Sequence, residues 1–256
     1  MPALPALVVA LLVSGLGWRA SALTREGALA AAIVGTIILS GTGGPGFAAL
    51  GLFFVTGSAL SRWLESGPGK APRGAWQVVS NGGAAAVGAL LAPVSPGLAV
   101  WVVGASLAAA TADTWATAIG SRSRVSPRHL RSRRTVDPGT DGGVTVLGTT
   151  GAVAGAVLVT SGVWIAGGGV ISGWDVVAMS GIGVAGMLLD ALLGEGVQRR
   201  LHCASCDIPS RHLRCPRCGH VAPMVGGWRW MTNDSVNAVT TAAAGAAGAL
   251  YWAWRA

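Results

Sequence analysis

The chain is poor in charge. Only 11% of its 256 residues are Asp, Glu, Lys or Arg, and only ten are acidic. Soluble domains carry roughly 25% charged residues, so this chain cannot cover a water-facing surface in the ordinary way. No charged segment precedes the first apolar run, Met1 to Leu16, which excludes the usual layout of a cleaved secretory signal and predicts a first membrane span. The sequence has no repeat at a fixed period, no long disordered linker, and no Gly-Lys-Ser/Thr closing its Gly-rich segments, which excludes a Walker loop. Cysteine is absent outside one loop. Aromatics are scarce at 6% and are mostly Trp near the ends of apolar runs, which argues against nucleic acid as the partner of this basic chain.

What the sequence does have is apolar material, 52% of residues with a mean hydropathy of +0.57. It is spread along the chain in blocks at about Ala3–Gly17, Gly27–Leu39, Gly46–Ala59, Ala75–Ala92, Gly97–Ile119, Val144–Ile165, Val176–Val197 and Ser235–Trp254. Several fall short of the roughly 20 residues that cross a bilayer, so their ends are expected to run into the flanking turns. The expected fold is an all-α polytopic transmembrane bundle of about eight spans, one membrane domain over 1–256. A cytoplasmic loop at 198–232, carrying all four cysteines, is inserted between the last two spans. Forty glycines mixed with Ala, Ser and Thr predict close helix packing.

Charge then sorts the loops. Basic residues fall after the first block (Arg19, Arg25), the third (Arg62, Lys70, Arg73), the fifth (Arg122, Arg124, Arg128, Arg131, Arg133, Arg134) and the seventh (Arg199, Arg200, Arg211, Arg214, Arg217, with Arg229). The intervening loops hold none, and of 18 basic residues only Arg255 falls on the other side. The positive-inside rule puts the odd-numbered loops in the cytoplasm and both termini outside. The net charge of +8 then serves topology and anionic headgroups.

Charges in or beside spans are costly and tend to be functional. Asp113, Asp190 with Glu195 after it, Asp234 and Asp141 come from four different blocks, all toward the basic-loop face. Together they suit a divalent cation that takes oxygen ligands. A single buried Asp is explained equally well by hydrogen bonding, and Asn233-Asp234 equally well by helix capping. Gly139-Thr140-Asp141-Gly142-Gly143, where the sixth block begins, suits a phosphate cradle at a helix N-terminus, with the upstream arginines as phosphate partners. The cysteines form two pairs, Cys203-x-x-Cys206 and Cys215-x-x-Cys218. That spacing fits structural zinc on four thiolates in a cytoplasmic loop where disulfides are disfavoured, with a redox pair and unligated thiols as the other readings. His202, His212 and His220 stand by as substitute ligands.

Asn81-Gly82-Gly83, Ala112-Asp113-Thr114-Trp115-Ala116-Thr117, Gly139 to Thr145, and Asn233-Asp234-Ser235-Val236-Asn237 resemble the family of transmembrane protein nineteen, which includes the plant phytyl-phosphate kinase. The resemblance runs from Leu23-Thr24-Arg25-Glu26-Gly27 to the last span. It departs at Ala118, where members often have Glu, and at Ala191, where they often have Ser. The resemblance implies phosphoryl transfer from a nucleoside triphosphate of the CTP type to a polyprenyl or phytyl monophosphate. It makes Asp113, Asp190 and Asp234 the catalytic, Mg²⁺-holding residues, with Glu195 standing in for the missing Glu. Asn81, Thr114, Thr117, Arg122, Arg134, Gly139, Thr140, Asp141, Gly142, Gly143, Asn233 and Asn237 would bind nucleotide and phosphate. Lipid bilayer, prenyl phosphate and nucleotide are the implied partners. Two rivals stay open: an ion-coupled transporter, and a non-catalytic membrane scaffold whose zinc loop binds a partner.

Overall fold

A computed structural model describes residues 1–64, 71–169, 171–210 and 213–255. Lys70, Arg211 and His212 lie outside the described residues. Eight helices among the described residues follow the apolar blocks: α1 (Ala3–Arg19), α2 (Arg25–Thr42), α3 (Gly44–Leu64), α4 (Ala75–Ala89), α5 (Pro96–Gly120), α6 (Val146–Ala166), α7 (Gly173–Gly196) and α8 (Asn233–Arg255). The ends of α1, α2, α3, α5 and α8 extend past the apolar runs, whereas α4 stops at Ala89, short of its block. The expected second loop, Ser40–Pro45, shrinks to Gly43, whose φ of +60° lets the chain reverse between α2 and α3. By length and composition α3, α5, α6 and α7 are each able to cross a bilayer, and α1 is a shorter apolar helix. α2, α4 and α8 pack into the same bundle.

α5 is the central post. It touches α3, α4, α6, α7 and α8, and every residue from Ala99 to Ala112 is buried. Small residues permit this crowding. A Cβ placed on Gly183 of α7 would sit 2.8 Å from the Ala108 side chain, and one on Gly151 of α6 would sit 2.8 Å from Ile119, so backbones meet there at distances that exclude larger side chains. Hydrogen bonds stitch neighbouring helices where no water can: Thr160 and Ser180 share one of 2.7 Å across α6 and α7, and Thr241 of α8 donates to the Ser80 carbonyl of α4 at 3.0 Å.

The outside of the bundle is greasy. Leu4, Leu12, Leu29, Ile33, Val87, Ile165 and Leu250 are all exposed, a surface suited to lipid tails. Two sets of exposed tryptophans mark its borders. Trp18, Trp63 and Trp76 lie at the basic-loop ends of α1, α3 and α4, while Trp164, Trp174 and Trp254 lie at the opposite ends of α6, α7 and α8, the aromatic belts of a membrane protein. Arg255, the one basic residue expected on that opposite face, pairs with buried Asp175 at the start of α7 and lies over the Trp252 ring at 4.9 Å.

Short strands, absent from an all-α expectation, organise the two long loops. β1 (Arg128–His129) pairs antiparallel with β2 (Gly143–Val144), folding the arginine-rich loop into a hairpin. β3 (Arg200–Cys203), β4 (Ile208–Ser210) and β5 (Met224–Gly226) form a sheet of order β4-β3-β5 between α7 and α8. Leu201, Cys203, Cys215 and Ala222 make a small core of their own there.

Candidate functional site

At its C-terminal end α5 stops being enclosed. Burial is complete through Ala112, Asp113 and Thr114 are half-buried, and Thr117 is exposed, because the helix emerges there into a cavity of about 710 Å³. This lies within the roughly 300–1,000 Å³ of small-molecule sites. Asp113, Thr114 and Thr117 line it from α5, Asn81 from α4, Asp190 from α7, and Asn233 and Asn237 from α8. The whole Gly139–Thr145 segment lines it from above. At 1.5 Å per residue, Asp113, Asp190 and Asn81 each stand only about 9–11 Å, and Asn237 about 6 Å, from the basic-loop end of their helices. The polar wall is therefore one shallow layer at one face.

The Gly-rich turn reaches this wall by docking on α7. Gly142 has φ of +77°, and a Cβ there would lie 2.6 Å from the Ala191 carbonyl oxygen. Glycine is required twice over, by backbone conformation and by contact with a neighbouring backbone. Asp141 and Asp190 both line the cavity. The turn does not run straight into α6 as the sequence suggests: β2 intervenes, α6 begins at Val146, and Thr145 caps it by accepting from the Gly148 amide at 2.9 Å.

Four expected residues fall outside the cavity lining. Glu195 accepts from the Arg131 and Ser132 amides, both at 2.9 Å, with His129 Nδ1 3.7 Å away. Its carboxylate thus anchors the arginine-rich loop to the end of α7 rather than reaching Asp113. Arg122 is exposed and donates to the Trp63 carbonyl at 3.3 Å, and Arg134 is exposed on the β1–β2 hairpin. Asp234, one residue past Asn233, is not among the residues that line the cavity. The helix cap that Asn233-Asp234 could have supplied comes from Thr232, whose Oγ1 accepts from the Ser235 amide at 3.2 Å. Ala118 is fully buried.

Other lining residues give no sign of themselves in the sequence. Arg62, Arg73, Gln77, Ser121 and Thr149 also face the cavity. By sequence Arg62 and Arg73 are topology charges, and nothing in their local pattern separates them from the other basic-loop arginines. Among the described residues the four cysteines are the one group of three or more His, Cys, Asp or Glu close enough to share an ion. The cavity carboxylates do not form an all-protein cage.

The cysteine cluster is separate from this cavity. All four sulfurs lie within 4.8 Å of one another, with Cys203 and Cys218 at 3.5 Å. A tetrahedral zinc with Zn–S bonds of about 2.3 Å spaces its sulfurs by about 3.8 Å, so the group can hold a metal ion such as zinc. The His220 amide and the Cys206 thiol hold Cys218 down to about 6, while hydrogen bonding to Cys218 and burial push Cys206 up to about 12. His202 is engaged with Asp207 at 2.9 Å, which leaves the thiols as the natural ligand set.

The integral membrane protein family DUF92 matches residues 8–245, and the chain belongs to that family. It is similar to the uncharacterized membrane protein MJ0933 of Methanocaldococcus jannaschii, 32% identical over 189 residues that cover 71% of this chain and 77% of that protein. No solved structure matches the chain.

Proposed function

We propose that this DUF92 membrane protein is a prenyl-phosphate kinase, transferring a phosphoryl group from a nucleoside triphosphate of the CTP type to a polyprenyl or phytyl monophosphate. One observation carries the proposal. A single cavity at the basic-loop face is lined by Asp113, Asp190, Asn81, Asn237 and the Gly139–Gly143 turn, drawn from four helices and a loop far apart in sequence. The likeness to the family of transmembrane protein nineteen, which includes the phytyl-phosphate kinase, rests on the segments of α4, α5, α8 and the turn that line it. The shallow placement favours an enzyme working on a headgroup over an ion-coupled carrier, whose site belongs near the bilayer midplane.

The chemistry asks little of the side chains beyond position and charge. An oxygen of the lipid monophosphate attacks the γ-phosphorus of the nucleotide. The bond from that phosphorus to the β-bridging oxygen breaks, and its electron pair leaves with the nucleoside diphosphate. The attacking monophosphate is ionised at neutral pH, so no general base is needed, and catalysis rests on alignment and neutralisation. Mg²⁺ held by Asp113 and Asp190 would supply the charge neutralisation. Gly139 to Gly143 offer backbone amides to phosphate, Asn81, Asn233 and Asn237 orient it, Thr114 and Thr117 offer hydroxyls, and Arg62 and Arg73 add positive charge. Zinc on the four cysteines would brace the loop between α7 and α8.

The test is purified protein in nanodiscs with labelled CTP or ATP and geranylgeranyl or phytyl monophosphate. Wild type is expected to form the lipid diphosphate, and Asp113→Asn to lose about 100-fold or more in rate, the scale of removing one electrostatic partner of a transition state. Absence of diphosphate with every nucleotide, in protein that is folded and monodisperse, overturns the proposal.

A further inference from the structure

A second cavity, of about 90 Å³, lies between α1, α2, α3 and α4. Its walls are almost wholly apolar, from Val34 and Leu39 on α2 through Phe47 and Leu50 on α3 to Val78 on α4. Along α2 it runs from Ala31 to Leu39, about 12 Å of helix, which makes it slender. It adjoins the large polar cavity, Arg73, Gln77 and Asn81 lining both. Arg73 marks the border, its guanidinium 5.3 Å from the Phe53 ring and 5.9 Å from Phe54, with hydrocarbon on one side and the polar layer on the other.

Resting on the reading of the polar cavity as a headgroup site, we infer that this cleft receives the first carbons of the substrate's hydrocarbon tail. A phosphate beside Arg73 and Asn81 stands at the wall the two cavities share, with the apolar cleft running along α2 on its other side. Its small section admits an unbranched or methyl-branched chain and excludes a fused ring system. A dry cavity of roughly 150 Å³ accepts one benzene, so 90 Å³ holds only a few carbons of the tail. The remainder leaves along α3, where Phe47 and Val55 are exposed on the lipid-facing surface. The site therefore reads the carbons next to the phosphate and ignores the distal chain.

Gly51 gives a way to test this. It lines the cleft, and a Cβ placed on it meets nothing within 4 Å, so Gly51→Ala is tolerated and Gly51→Leu fills the space. The probe is geranylgeranyl monophosphate with a diazirine near the phosphate, photolysed with the full chain in nanodiscs without nucleotide, the adducts mapped by mass spectrometry. Adducts are expected on the α1–α4 cleft. They should persist in Gly51→Ala and fall about tenfold in Gly51→Leu and in Val78→Trp, which block the cleft from two walls and remove the burial of roughly two methylenes. The matching prenyl alcohol should label the cleft weakly. Adducts spread over lipid-facing surfaces, insensitivity to both blocking variants, or equal labelling by the alcohol would each overturn the inference. Cleft labelling without diphosphate formation in the kinase assay removes the catalytic proposal and leaves the tail site. Diphosphate formation with adducts elsewhere does the reverse.

Discussion

Cys206 and Cys218 lie within 4.8 Å of each other but hold their protons very differently, the first pushed up to about 12 and the second held down to about 6 by the His220 amide and the Cys206 thiol. At neutral pH the metal-free cluster therefore carries its negative charge on Cys218. In chelator-stripped protein, iodoacetamide at pH 7 should alkylate Cys218 first, and its rate should fall about tenfold per pH unit below about 6 as the thiolate is protonated. Zinc should protect all four thiols at pH 7 and be released on acidification, since ligation needs thiolates. Equal alkylation of the four cysteines with and without zinc would remove the site. The same attention to single positions explains which carboxylates reached the cavity. At about 100° per residue, Asn233 and Asn237 share one face of α8 while Asp234 turns off it. Likewise Glu195, five residues after Asp190, points about 140° away from it around α7. That phase was legible in the sequence and outweighs the mere presence of a carboxylate near a span end.

Glu195 instead joins two elements. Its carboxylate collects the Arg131 and Ser132 amides at 2.9 Å, and His129 adds a contact of 3.2 Å to the Asp141 carbonyl. The β1–β2 hairpin is thereby tied to the end of α7, and with it the Gly139–Gly143 turn over the cavity. Glu195→Ala should raise amide hydrogen exchange across residues 128–136 and weaken nucleotide binding, while α7 itself keeps its protection. Glu195→Gln, which retains one accepting oxygen, should fall between. Unchanged exchange in the hairpin would show that the tie carries no load. Such ties were not readable beforehand. The helices announce themselves because lipid leaves backbone groups no partner but their own helix, so each span must be a long apolar block. The hairpin and the β3–β5 sheet rest on strands of two to four residues, too short to show a period of two, and their pairing depends on residues far apart in the chain. The cavity was half visible. Its motifs on α4, α5 and α8 stood out as polar residues in apolar surroundings, whereas Arg62 and Arg73 were hidden among the arginines that set topology.

The bundle puts every ingredient of the proposed chemistry on one face. The polar cavity, both long loops and the cysteine cluster all lie at the basic-loop ends of the helices, and the opposite face holds the Asp175–Arg255 pair. Arg255 is thus consistent with the charge asymmetry, since its charge is met by a carboxylate and two indole rings. Nucleotide is a cytoplasmic reagent, so the proposal requires that this face point inward. Val94, exposed in the short loop between α4 and α5, and Arg124, exposed beyond α5, lie on opposite sides. In intact cells a membrane-impermeant maleimide should label Val94→Cys and leave wild type and Arg124→Cys unlabelled. After permeabilisation Arg124→Cys should react as well. The reverse pattern would turn the cavity away from nucleotide, and a kinase so oriented would have no phosphoryl donor to use.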